Sequence, residues 1–269
     1  MRPRAWHLLL LFLLVGWQTV HAQEPKTVFL QELTWTELRG LIRSGKTTII
    51  IPVGGTEQSG PYIALGKHNV RVRALSQKIA LELGNALVAP VVAYVPEGNI
   101  NPPTGHMGFP GTITIPVTTF EQLLESAARS FKHAGFRNIV LLGDHGGYQR
   151  DLRVVADRLN HEWAGSGVRA HYIAEYYRVT ETAYVQALRQ RGYSQAEIGT
   201  HAGLADTSLL LAVDPGMVRA DALRADPNPG RANGVYGEPG RSSAKLGQLG
   251  VDLIITHTVA AIRKEIGQR

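Results

Sequence analysis

The 269-residue chain reads as an α/β fold, a three-layer sandwich whose mainly parallel sheet is covered by helices on both faces. Three observations predict it. The strand-like segments are short runs of apolar residues rather than alternating ones, as expected of strands buried on both faces. They alternate with segments of helical period along the chain. Two of them empty into glycine-rich turns carrying charged side chains, where parallel sheets place their ligands.

The elements follow in order. Thr34 caps a helix over Trp35–Arg43, with Glu37 three residues on completing a capping box. Thr47-Thr-Ile-Ile-Ile-Pro-Val53 is a buried strand, and a helix over about 70–83 follows, capped by Asn69. Ala86 to Val95 is apolar and β-branched and reads as the next strand. The stretch from Pro96 to Gly111 is irregular and long enough to suggest a functional loop. Ile113 to Val117 reads as a short strand, and Thr118 or Thr119 caps a helix to about His133. A strand at 138–142 and a helix at about 149–163 come next, then a strand over Val168 to Tyr177 and a helix over Glu181 to Arg191. Gly199 to Asp206 is a polar loop leading into Thr207 to Val213. Pro227 to Pro239 is a second loop, and Leu249 to Gln268 closes the chain as a helix.

The N-terminus stands apart. Arg2 and Arg4 form a basic start, His7 to Val15 an apolar run, and Val20-His-Ala22 a small-residue cleavage site before Gln23. This is the pattern of a secretory signal peptide over residues 1–22, too short for a membrane span. Residues 23–269 are then a single domain, periplasmic or secreted, without a stable membrane span. The chain has no cysteine, so disulfides, thiolate zinc ligands and a thiol nucleophile are excluded. The formal charge of +6 is spread over helical faces with no basic block among aromatics, so nucleic acid is not an expected partner.

The chemistry-bearing residues sit at the strand ends. The turn after 47–53, Gly54-Gly-Thr-Glu-Gln-Ser-Gly60, carries Glu57, and His68 follows shortly; the turn after 138–142, Gly143-Asp-His-Gly-Gly147, carries His145. One carboxylate and two imidazoles make a catalytic zinc set with a position open for water. Each of the three also has a bland reading, as a cap, an ion pair or a hydrogen-bonded turn residue; their joint placement favours the metal. Asp144 either ligates a metal or orients an imidazole, or it is a turn residue capping the next helix. His106 lies in a Pro- and Gly-fixed loop that either presents it to substrate or is merely structural. His201, near Asp206, either shuttles a proton or sits in a helix-capping turn.

Five blocks in order carry a family resemblance: Pro52-Val-Gly-Gly-Thr-Glu-Gln-Ser-Gly-Pro61; His106 with Phe109-Pro-Gly-Thr-Ile113; Ile139-Val-Leu-Leu-Gly-Asp-His-Gly-Gly147; His201-Ala-Gly with Asp206-Thr-Ser208; and Gly234-Val-Tyr-Gly-Glu-Pro239. Together they resemble the creatininase family over most of the mature chain. The resemblance implies a parallel-sheet α/β fold, often hexameric, that hydrolyses non-peptide amide-type C–N bonds with one or two divalent metals, zinc or manganese. It implies that Glu57 and His145 are metal ligands and that His201 assists proton transfer to the leaving nitrogen. The chain departs from the family pattern at Ser59 and Tyr62, which replace histidines, at His68, which replaces a bridging aspartate, at Gly147, which supplies no side chain, and at Asp206, which shortens a glutamate.

The expectation is therefore a metal-dependent hydrolase with one zinc or manganese ion on Glu57, His68 and His145. His201 and Asp206 would handle the leaving group and His106 the substrate, a small amide-type molecule, in a homo-oligomer, a hexamer by resemblance. The alternative is a non-catalytic protein that binds a small ligand or a metal on the same scaffold.

Overall fold

The structure, a computed structural model, describes residues 26–267; the predicted signal segment and its cleavage site lie outside them. The strands are β1 (Thr48–Val53), β2 (Ala86–Val88), β3 (Asn138–Gly143) and β4 (Arg169–Tyr172). The helices are α1 (Trp35–Arg43), α2 (Lys67–Leu83), α3 (Val117–Ala134), α4 (Gln149–Glu162), α5 (Glu175–Glu181), α6 (Ala183–Arg189), α7 (Gln195–Ile198), α8 (Leu204–Val213), α9 (Ala220–Ala225) and α10 (Ala244–Glu265). The strands pair in parallel in the order β2-β1-β3-β4. α2, α5, α8 and α10 pack together on the sheet, and α3 and α4 form a second group against it.

Every residue of β1 is buried, and β3 is buried from Ile139 onward. That is what the apolar runs require, since each buried Ile, Leu or Val contributes roughly 1.5–3 kcal/mol. The chain leaves β1 for β2 on one side and then returns to lay β3 on the other. The order thus reverses between β1 and β3, which makes their carboxyl ends a topological switch point, the crevice where such sheets bind ligands. Val53 and Gly143 are in register there, so the two glycine-rich turns emerge side by side.

Tyr148 fixes these turns. Its buried hydroxyl accepts from the backbone N–H groups of Asp144 (3.1 Å) and His145 (3.0 Å) and offers its proton to the carbonyls of Val53 (2.8 Å) and Gly54 (2.5 Å). One side chain therefore ties the end of β1 to the turn after β3.

Several predicted elements are corrected. α2 begins at Lys67 with Gly66 at its N-cap, so Asn69 is not the cap. Asn69 instead accepts from the N–H of Gly55 and donates to Thr56, stitching α2 to the first turn. Only Ala86–Val88 of the 86–95 run forms a continuous strand; Val92 adds one bridge to Val53. Ile113 to Val117 is no strand: it hydrogen-bonds singly to Thr56 and Val95 and turns into α3, whose N-cap is Pro116 rather than a threonine. The 168–177 segment is strand only to Tyr172 and then becomes α5, and α6 covers Ala183–Arg189 of the predicted 181–191 helix. α8 starts at Leu204, which puts Asp206 in its first turn.

Candidate metal centre

The turn after β1 brings Glu57 into the interior with no exposure. Gly55 makes this bend at φ +145°, and a Cβ there would stand 2.9 Å from Glu97 Oε1. A glycine is needed for the backbone angle and for the second carboxylate alike. Glu97 lies within the irregular run after β2, its backbone N–H donating to Thr114 Oγ1.

Among the described residues, Glu57, Glu97, His106 and His145 each offer one donor atom, all within 4.8 Å of one another. His106 Nε2 lies 3.1 Å and His145 Nε2 3.5 Å from Glu57 Oε2, and His145 Nδ1 lies 3.6 Å from Glu97 Oε1. Beyond these close approaches, Glu57 Oε2 and both oxygens of Glu97 make no hydrogen bond among the described residues. Burial, and then the charge of Glu57, push the Glu97 carboxyl up to about 9. Burial first, with help from neighbouring cations, holds the His145 imidazole down to about 4, so its ring is neutral at neutral pH. Two buried carboxyl groups and two imidazoles around one point are the ligand types of zinc and manganese. A divalent ion would supply the unpartnered oxygens with the partner they lack and displace the proton from Glu97. The residues present therefore fit a divalent metal.

His68 is brought to the same place but plays a different part in this arrangement. Its Nε2 lies 2.7 Å from Glu57 Oε1 and its Nδ1 2.6 Å from Asp144 Oδ1. Burial and Lys67 press its pKa down, but the two carboxylates outweigh them and raise it. Both ring nitrogens are thus occupied, and His68 stands outside the four-donor group.

The pairings continue into a closed ring of alternating charge. Asp144 Oδ1 meets Arg71 (2.7 Å), Arg71 meets Asp206 Oδ1 (2.5 Å), Asp206 Oδ2 meets Lys67 (2.5 Å), and Lys67 returns to Glu57 Oε1 (3.3 Å). Lys67, His68 and Arg71 all come from the first two turns of α2. Cations there oppose the helix dipole, so the carboxylates opposite must stabilise them. Burial pushes the Glu57 carboxyl up, yet Lys67 and His68 hold it well below the usual range.

His201 Nε2 lies 3.0 Å from the Gln58 carbonyl, to which it donates, leaving Nδ1 to face Lys67 at 3.5 Å. Burial and the Lys67 charge bring its pKa down to about 3. His106 Nδ1 is held by the Gln58 amide at 2.9 Å. Tyr62 spends its hydroxyl on the Ala202 carbonyl, and Ser59 Oγ is buried without a partner; neither joins the donor group. A cavity of about 320 Å³ opens over His106, His145 and His201, with Tyr177 and Glu181 on its far side. It is of the size that takes a small molecule.

Of the predicted residues, the structure gathers Glu57, His145 and His106 at one point and sets His68, Asp206 and His201 beside that point, on the wall of the same cavity as His106 and His145. Glu97 and Lys67 were missed. The signal for Glu97 was present: a lone carboxylate in Pro96-Glu-Gly98, just beyond an apolar run, repeats the placement of Glu57.

The creatininase (creatinine amidohydrolase) family profile matches residues 31–262. The chain belongs to the creatininase family. Creatininases are metal-dependent amidohydrolases, and this chain is one of them. It is 27% identical to the creatinine amidohydrolase of Pseudomonas putida over 89% of this chain and 98% of that one. It is 30% identical to the mycofactocin precursor peptide peptidase of Mycolicibacterium smegmatis over 65% of this chain and 61% of that one. A solved manganese form of creatininase superposes with a TM-score of 0.74 at 26% identity, covering 90% of this chain and 99% of the other. A Zn–Zn form of a creatininase mutant gives a TM-score of 0.73 at 26% identity with the same coverage. Those relatives are manganese and zinc forms, and the Glu and His residues gathered here are a group that could hold such an ion.

Proposed function

We propose that this creatininase-family enzyme hydrolyses a small, non-peptide amide-type C–N bond at a single divalent ion held by Glu57, Glu97 and His145. The observation that carries this reading is a pair of buried carboxyl groups in which Glu57 Oε2 and both oxygens of Glu97 make no hydrogen bond among the described residues. Leaving buried polar oxygens without a partner costs about 1–3 kcal/mol each.

The ion supplies Lewis acidity toward a carbonyl oxygen and acidifies a water toward neutral pH. Catalytic zinc centres keep one position open, so three of the four donors suffice. His106, lining the cavity with its Nδ1 fixed by Gln58, is placed on the open side. Its Nε2 orients the scissile carbonyl or passes a proton to the departing nitrogen. His201 has its one proton on the Gln58 carbonyl, so it positions Gln58 rather than serving as the first proton donor. Asp206, held by Lys67 and Arg71, fixes the layer behind Glu57. His68 holds Glu57 from behind, as Asp144 holds His68.

The cavity volume favours a substrate the size of a cyclic amide or formamide over a polypeptide. Export to the periplasm or beyond is supported by residues 1–22 alone, and assembly into a homo-oligomer by the family resemblance. No helix among the described residues is long and apolar enough to cross a membrane.

The test is a panel of cyclic amides and formamides assayed before and after chelation. Hydrolysis should vanish on chelation and return with zinc or manganese, and His106→Ala should keep the metal while losing turnover. Undiminished hydrolysis by the chelated protein, or loss of metal from His106→Ala, would contradict the assignment.

A further inference from the structure

The Lys67 side chain is 1% exposed and has three acceptors for the three N–H bonds of its ammonium: Asp206 Oδ2 at 2.5 Å, Glu57 Oε1 at 3.3 Å and His201 Nδ1 at 3.5 Å. Two carboxylates and an imidazole converging on one point are also the donor types of a divalent-metal site. Glu57 thus faces two cation positions, with Oε2 toward the four-donor group and Oε1 toward the ammonium.

We infer that Lys67 is a tethered cation filling a latent second metal site built from Glu57 Oε1, Asp206 Oδ2 and His201 Nδ1, and that it keeps the centre mononuclear. This rests on the reading that Glu57 Oε2 serves the first ion. The argument is one of charge and geometry. The ammonium balances two carboxylates that would otherwise be buried facing each other, and a soluble divalent ion would have to expel it from a cage it fills completely. Arg71 and His68 cannot take over, because Arg71 is spent on Asp144 and Asp206 and His68 on Glu57 and Asp144. Removing the side chain leaves the three donors in place with one positive charge fewer, which favours a metal ion. Lys67 is on this account a positioning residue: it orients Glu57 and reserves Oε2.

The experiment compares manganese content per subunit, by elemental analysis and electron paramagnetic resonance, in wild type, Lys67→Ala and Lys67→Arg after loading with manganese. Lys67→Ala should gain one ion relative to wild type, and its spectrum should show two coupled manganese ions. Lys67→Arg, which keeps the charge, should not gain an ion. Should Lys67→Ala fail to fold, Lys67→Ser, with a hydroxyl left in the cage, is read the same way. A folded variant with the wild-type content and an uncoupled spectrum overturns the inference. The difference between variant and wild type decides the role of Lys67; the wild-type content, one ion or none, decides the reading beneath it.

Discussion

Glu57 is hydrogen-bonded on one oxygen and not on the other, and this asymmetry organises the site. His68 and Lys67 hold Oε1, which leaves Oε2 turned toward Glu97, His106 and His145. Groups that orient a metal ligand from behind typically contribute 10–100-fold to metal affinity. His68→Gln is therefore expected to weaken zinc binding by about 10–100-fold, read by competition with a chromophoric chelator. Unchanged affinity would remove His68 from the site, and complete loss would make it a direct ligand. Glu57, His145 and His106 were legible because each sits in a glycine- or proline-fixed turn with a family motif around it. That both nitrogens of His68 are occupied was not legible, because it depends on α2 packing beside Asp144, a contact between residues 76 apart in sequence. Glu97 had only the faint signal of a carboxylate in Pro96-Glu-Gly98 beyond an apolar run, and its approach to Gly55 is visible only in the fold.

At the level of elements, one local signal held and two apolar runs folded differently from their local preference. The Thr34 and Glu37 capping box forms as predicted, since all its contacts lie within one turn. Ile113 to Val117 is apolar enough for a strand but meets no neighbouring strand, and Pro116 starts a helix instead. The aromatic and β-branched run through Tyr177 favours strand locally, yet α5 forms because it sets the Tyr176 hydroxyl 2.7 Å from Asp144 Oδ2. Tyr148 is the clearest element-scale test. Tyr148→Phe leaves the buried N–H groups of Asp144 and His145 without their acceptor. It should lower unfolding free energy by about 1–3 kcal/mol in urea titration and loosen metal binding in step. A variant as stable as wild type would mean that the two turns are held together by other contacts.

Across the whole molecule, the parallel topology decides where chemistry is possible. A sheet that reverses its order between β1 and β3 brings two turns, at Gly54 and at Asp144, 90 residues apart in the sequence, to one crevice. Apolar runs alternating with helices made this layout readable in advance. The strand lengths were not readable, because they depend on how far each neighbour extends. The layout leaves one debt at the crevice: two carboxyl groups buried together with three oxygens that make no hydrogen bond among the described residues. The central claim is that a divalent ion answers it, with Glu97 as a ligand. The most direct measurement is elemental analysis of the purified mature protein beside Glu97→Gln, both prepared with zinc and manganese in excess. The account predicts one zinc or manganese ion per subunit in the wild type and its loss from Glu97→Gln. A wild type without metal, or a Glu97→Gln protein that keeps its full complement, would contradict it.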